Sequence, residues 1–190
     1  MYQVLQEEGV FHILSDGAPV FTPAGNTVRT EHKALAEKLA RHLETHGADP
    51  DNRYSIALYH YPMQDFVLKY TRSRTEKVLI LGFDPLNDWT LRETDIPKLH
   101  AQRWNEVFGD VRTRVDEGRA WISGLNSYQL CAAMVLGRIA ESVNIPYLVA
   151  HCQSPKESNA LARQIVLLRH SLGKEPLHDL FANFRFYWSL

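Results

Sequence analysis

Between Gly9 and Asn26 the chain reads GVFHILSDGAPVFTPAGN, with apolar and polar positions close to alternation. Val10, His12 and Leu14 fall on one side and Phe11 and Ile13 on the other, the period-two pattern of a half-buried strand. Asp16-Gly17 accepts the positive φ angles of a tight turn, so the stretch predicts a hairpin of two short strands. Pro19 lacks an amide proton, which confines the second strand to an edge or a strand start. Thr22-Pro23-Ala24-Gly25-Asn26 forms a second turn, in which proline fixes one φ and Gly-Asn permits a left-handed residue. The period then changes. Leu35, Leu39 and Leu43, with Ala36 and Ala40 beside them, give one apolar stripe and predict a helix from about Glu31 to His46. Thr30 is its expected N-cap and Gly47 its stop.

A polar loop over 48–53 separates this opening from an aromatic-rich segment, Ser55 to Arg72. Pro62 leaves two readings there: a strand through Tyr59 followed by a helix, or two helical pieces meeting at the proline. Val78 to Phe83, VLILGF, is a continuous apolar run suited to a buried strand, and Ile145 to Cys152, IPYLVAHC, is read the same way. Helices are predicted after Asp95 and Pro97, with Leu99, Trp104 and Phe108 inward, and from Asn126 or Ser127 to Glu141, with Leu130, Met134 and Ile139 inward. Ser154-Pro155-Lys156-Glu157 has capping-box spacing and opens a helix carrying Leu161, Ile165, Leu168 and Leu172, with a stop near Gly173. The aromatic tail should dock on the body through Phe181, Phe184 and Trp188.

Composition narrows the function classes. The 190 residues carry a net charge of −1, which gives no electrostatic footprint for nucleic acid or an anionic membrane. No apolar run reaches the roughly 20 residues needed to span a bilayer, and the opening residues resemble no targeting leader. The expectation is a soluble protein of the bacterial cytoplasm, or of an organelle matrix after removal of a leader. Cys131 and Cys152 are too few for a disulfide scaffold. There is no phosphate-binding glycine loop and no Gly-x-Ser-x-Gly elbow, and Ser171 to Lys174 matches a Ser-x-x-Lys nucleophile in letters only. His151 and Cys152 form the most reactive-looking pair, but neighbours on a strand face opposite ways. Asp84, Asp88, Glu93 and Asp95 lack calcium-loop spacing. His32, His42 and His46 read as solvated or partly buried side chains. No catalytic, cofactor-binding or metal-binding residue is assigned, and the expectation is a non-enzymatic protein without a cofactor.

The ordered string Phe11, Asp16, Gly17, Pro19, Val20, Thr22, Pro23, Ala24, Gly25, Asn26, continued by Ala34, Leu35, Ala36, Glu37 and Ala40, resembles the opening of the assembly chaperones for the alpha subunit of the F-type ATP synthase. Shorter matches follow at Glu93-Thr94-Asp95, at Gln102 and Trp104, and at Leu136 to Ile139. The resemblance is densest in the first quarter of the chain and describes a shortened or divergent member. It implies binding of an unassembled alpha-type subunit and shielding of its apolar surface from aggregation. Candidate partner-binding side chains are Phe66, Tyr70 and Trp104, because aromatic residues are enriched in interface hot spots. The expected fold is α+β, with a β-rich unit and its first helix over 1–50 and a mainly helical unit over 51–190. The competing fold is an α/β domain that pairs VLILGF with PYLVAHC in a short parallel sheet and holds a small molecule or substrate near Phe83, Asp84 and His151.

Overall fold

A computed structural model describes residues 1–67, 118, 120–168 and 177–190. Its N-terminal part is a small antiparallel sheet and the remainder is mainly helical, an α+β fold. Strands β1 (Tyr2–Glu7) and β2 (Val10–Ser15) pair from Tyr2 opposite Ser15 to Glu7 opposite Val10. Two short strands, β3 (Ala18–Pro19) and β4 (Arg29–Thr30), both pair with β2. The expected turn is present, with Asp16 at φ 51° and Gly17 at φ 82°. A second such turn, Glu8 at φ 48° and Gly9 at φ 84°, joins β1 to β2. Strand β1 was not among the predicted elements, and its presence makes β2 the central strand. Phe11 and Ile13 take the buried face of β2, as the alternation required.

Helix α1 (Lys33–His46) buries Leu35, Ala36, Leu39 and Leu43 against the sheet. It starts two residues later than expected and Thr30 does not cap it. The Thr30 hydroxyl instead accepts the His32 amide at 3.2 Å, and the N-cap position is His32. Gly47, at φ 76°, ends the helix and donates its amide to the Leu43 carbonyl at 2.9 Å.

At Pro62 the second of the two readings holds. Helix α2 (Ala57–Pro62) runs directly into a π-turn, Met63–Val67. Proline cannot donate to the carbonyl four residues back, and a widened turn is one way a helix accommodates that loss. Asn126 caps helix α3 (Ser127–Ala140) with a capping box: its side chain accepts the Gln129 amide at 2.9 Å and the Gln129 side chain accepts the Asn126 amide at 3.0 Å. The helix ends in Glu141 at φ 51°, with Ser142 donating to the Gly137 carbonyl at 3.0 Å and Glu141 to the Arg138 carbonyl at 3.4 Å. Those two bonds form a Schellman stop.

The segment expected as a second strand is helix α4 (Asn144–His151). Pro146 sits in its first turn, where the missing amide proton costs nothing, and the Ser142 hydroxyl accepts the Ile145 amide at 3.3 Å. The α/β alternative therefore loses one of its two strands, and the parallel pairing it required does not form. Helix α5 (Pro155–Leu168) starts at Ser154, whose hydroxyl accepts the Glu157 amide at 3.2 Å. Glu157 returns to the Gln153 amide at 2.6 Å, one residue before the cap position. The tail forms helix α6 (Leu177–Trp188), with Phe181 and Phe184 fully buried and Trp188 stacked on Phe184 and Trp121.

A continuous apolar cluster runs from Ile13, Leu35 and Leu39 through Ile56, Tyr59 and Leu136 to Phe181 and Tyr187. Helix α3 gives Cys131, Ala132 and Leu136 to it, and turns Leu130 and Ala133 into a second cluster with Ile122, Leu125 and Val143. Met134 and Ile139, expected inward, are only half-buried and point toward a different surface feature. No described helix is long and apolar enough to cross a membrane.

Candidate functional site

The loop carrying Thr22 to Asn26 is closed on itself and then clamped from outside. The Thr22 amide donates to the Asn26 carbonyl at 2.8 Å and the Gly25 amide to the Thr22 carbonyl at 2.9 Å, with Gly25 at φ 79°. Asp65, on the π-turn, receives three donors from this loop. Its Oδ1 accepts the Thr22 hydroxyl at 2.5 Å and the Asn26 side-chain amide at 2.6 Å, and its Oδ2 accepts the Ala24 backbone amide at 3.1 Å.

Two neighbours of Asp65 extend the clamp along the chain. Gln64 Oε1 accepts the Arg29 amide at 3.2 Å, and Gln64 Nε2 donates to the Thr27 carbonyl at 3.0 Å. His60 Nε2 lies 2.9 Å from the Arg29 carbonyl, so that nitrogen carries the proton. The other ring nitrogen, Nδ1, is then the acceptor for the Tyr187 hydroxyl at 3.2 Å. His60 is 1% exposed, and burial lowers its pKa to about 4. The polar face of α2 and its π-turn thus fixes 22–29, and Tyr187 ties the same face to α6.

The clamped loop forms one wall of an open groove of about 770 Å³. Pro23 comes from the loop, Leu58, Pro62 and Asp65 from α2 and the π-turn, and Met134, Val135, Arg138 and Ile139 from α3. Pro50, Asp51 and Arg53 close one side and Glu141 lies at the end of α3. The half-exposed sides of Met134 and Ile139 are this groove wall. Tyr61 also borders it; its phenol is buried without a hydrogen-bond partner among the described residues, and burial holds its pKa up at about 12.

Of the residues singled out in the sequence, Asp16, Gly17 and Pro19 build the β2–β3 turn, away from the groove lining. Thr22, Pro23, Ala24, Gly25 and Asn26 are brought together with Asp65. Phe66 belongs to the π-turn by its backbone, and its side chain lies outside the described residues. Tyr70, Glu93, Thr94, Asp95, Gln102 and Trp104 lie outside them as well, as do VLILGF, the acidic cluster from Asp84, the helix after Pro97, and Ser171 to Lys174. Gln64 and Asp65 were not singled out. Their signal was faint: a helix with a proline in its middle whose polar residues recur at 60, 64 and 65, on one face.

No family model matches the chain, and neither a curated protein nor a solved structure does. The His151 and Cys152 pair does not form a dyad: His151 Nδ1 donates to the Tyr147 carbonyl at 2.7 Å, and the Cys152 thiol donates to the Leu148 carbonyl at 3.4 Å. Burial raises the Cys152 thiol pKa, which opposes thiolate formation. Cys131 is fully buried and donates to the Tyr59 carbonyl at 3.4 Å, and burial raises its pKa too. Among the described residues no three His, Cys, Asp or Glu side chains converge as metal ligands.

Proposed function

We propose that the protein is an assembly-chaperone-like factor that binds an unassembled subunit, of the ATP synthase alpha type, and shields its apolar surface. The reading is supported by one coincidence. The part of the resembling string from Thr22 to Asn26 is the part fixed by Asp65, and its Pro23 borders the apolar groove. A rigid loop beside a half-buried apolar wall can cover a sticky client surface without rearranging. Shielding then works by mass action, since a covered surface is withdrawn from competing association. The protein would act in the cytoplasm, or in an organelle matrix, where subunits await assembly.

Capture from the lysate of its own cell tests this. The tagged full chain should retain free alpha subunit and leave the assembled enzyme in the flow-through. Retention of assembled enzyme alone, or of no ATP synthase subunit, overturns the proposal.

A further inference from the structure

We infer that the groove bordered by Pro23, α2 and α3 takes an apolar segment of a partner polypeptide bearing one basic side chain, which pairs with Asp65. The inference deepens the proposed client binding and rests on it for the identity of the partner, though not for the chemistry of the site.

Leu58, Pro62, Met134 and Ile139 are each half-buried, and Val135 beneath them is 7% exposed, so the wall is apolar and only partly covered. Filling it removes apolar surface from water. Pro23 and Pro50 at the borders are exposed, so an occupant keeps one side in solvent, as a stretch of chain does and an engulfed small molecule does not.

Asp65 supplies the charge term. All three of its hydrogen-bond donors are neutral: a hydroxyl, a backbone amide and a side-chain amide. They orient the carboxylate without neutralising it, and neither of the ion pairs found among the described residues includes it. Oδ1 already holds two donors, whereas Oδ2 holds only the Ala24 amide, through a solvent-exposed bond. That oxygen retains capacity for a further donor, and a guanidinium or ammonium beside an apolar wall gives a stronger bond than a neutral group. Arg53 and Arg138 line the same groove, with Asp51 and Glu141 at its edges, so its charges are mixed and a uniformly basic segment is disfavoured. One cation among apolar side chains fits both observations.

Three fluorescent peptides of one apolar sequence, carrying a central Arg, Gln or Glu, would be titrated against the full chain by anisotropy. The Arg peptide should bind about fivefold more tightly than the Gln peptide, the size of a partly exposed ion pair, and the Glu peptide more weakly than either. Asp65→Asn, which keeps a carbonyl acceptor for the loop, should erase the difference between Arg and Gln. Ile139→Glu should weaken all three, with thermal melting to verify that each variant is folded. Equal binding of the three peptides to the wild-type chain, or binding of none, overturns the inference. In the lysate experiment, capture of free alpha subunit by folded Ile139→Glu at the wild-type level overturns the groove and leaves the proposed function standing. Charge-selective peptide binding with no subunit captured does the reverse.

Discussion

Asp65 illustrates how much a single carboxylate can fix. Its three bonds hold a turn whose own internal bonds leave Pro23 and Ala24 facing solvent. Asp65→Ala leaves the Asn26 and Thr22 donors without their partner, and urea unfolding should show a loss of roughly 2 kcal/mol. His60 makes a pH prediction. In the unfolded chain its imidazole protonates near pH 6.5, whereas in the folded protein burial holds it neutral down to about pH 4. Above pH 6.5 both states are neutral and stability is undiminished. As pH falls from 6.5 toward 4 the unfolded state gains a proton the folded state refuses, so stability declines, by roughly 3 kcal/mol in total from this residue. His42 adds in the same direction, since its pKa is also lowered to about 4, by burial first, and its Nδ1 accepts the Ile56 amide at 3.0 Å. Melting temperatures measured across pH 7 to 4 should fall, and His60→Gln should flatten the fall. An equal slope in that variant would place the acid sensitivity elsewhere.

At the scale of elements, punctuation decided what could be read. Asp16-Gly17 and the Leu35, Leu39, Leu43 stripe carry their geometry in local residue types, and the hairpin turn and α1 follow them. Asn126 was legible for the same reason, as a good acceptor placed just before an apolar run. Asn126→Ala removes the acceptor for the Gln129 amide and should cost about 1 kcal/mol, visible as a lower urea midpoint with an unchanged slope. The end of α3 at Glu141 was legible, but the helical fold of the segment after it was not. A Schellman turn usually announces itself with glycine, and here Glu141 takes the left-handed conformation. IPYLVAHC is a short apolar run, a pattern shared by buried strands and buried helices. At Gly137 a Cβ would lie 3.4 Å from the Ser142 carbonyl and 3.7 Å from Pro146 Cγ, ordinary contact distances, so α4 folds back closely on α3 without requiring glycine there. The clamp was hidden for another reason. Thr22 and Asn26 lie about forty positions from Asp65 in the chain, and nothing local links polar groups that far apart.

Among the described residues, distant parts of the chain are tied together by a few buried and partly buried bonds. Tyr59 donates its hydroxyl to the Leu180 carbonyl at 3.0 Å, Asn183 donates to the Tyr54 carbonyl at 3.0 Å, and Arg185 reaches the Cys152 and Ser154 carbonyls at 3.0 and 2.9 Å. Each joins α6 to a part of the chain upstream of it, one of them to α2 and one to the loop that precedes α2. The aromatic tail is thereby a working part of the core, with Phe181, Phe184 and Tyr187 at 0% exposure. Cys131 lies in the same packed interior, its thiol held on the Tyr59 carbonyl, whereas the other cysteine, Cys152, is half-exposed. A thiol reagent added to the native protein should modify Cys152 first, at a rate slowed by its raised pKa, and Cys131 only as fast as α2 and α3 part. Prompt reaction of both would mean that these helices separate without global unfolding. The chain thus carries a stopwatch for its own opening. Slowing of the second reaction when a client is added would report that binding stiffens the interior, with no label attached to the groove.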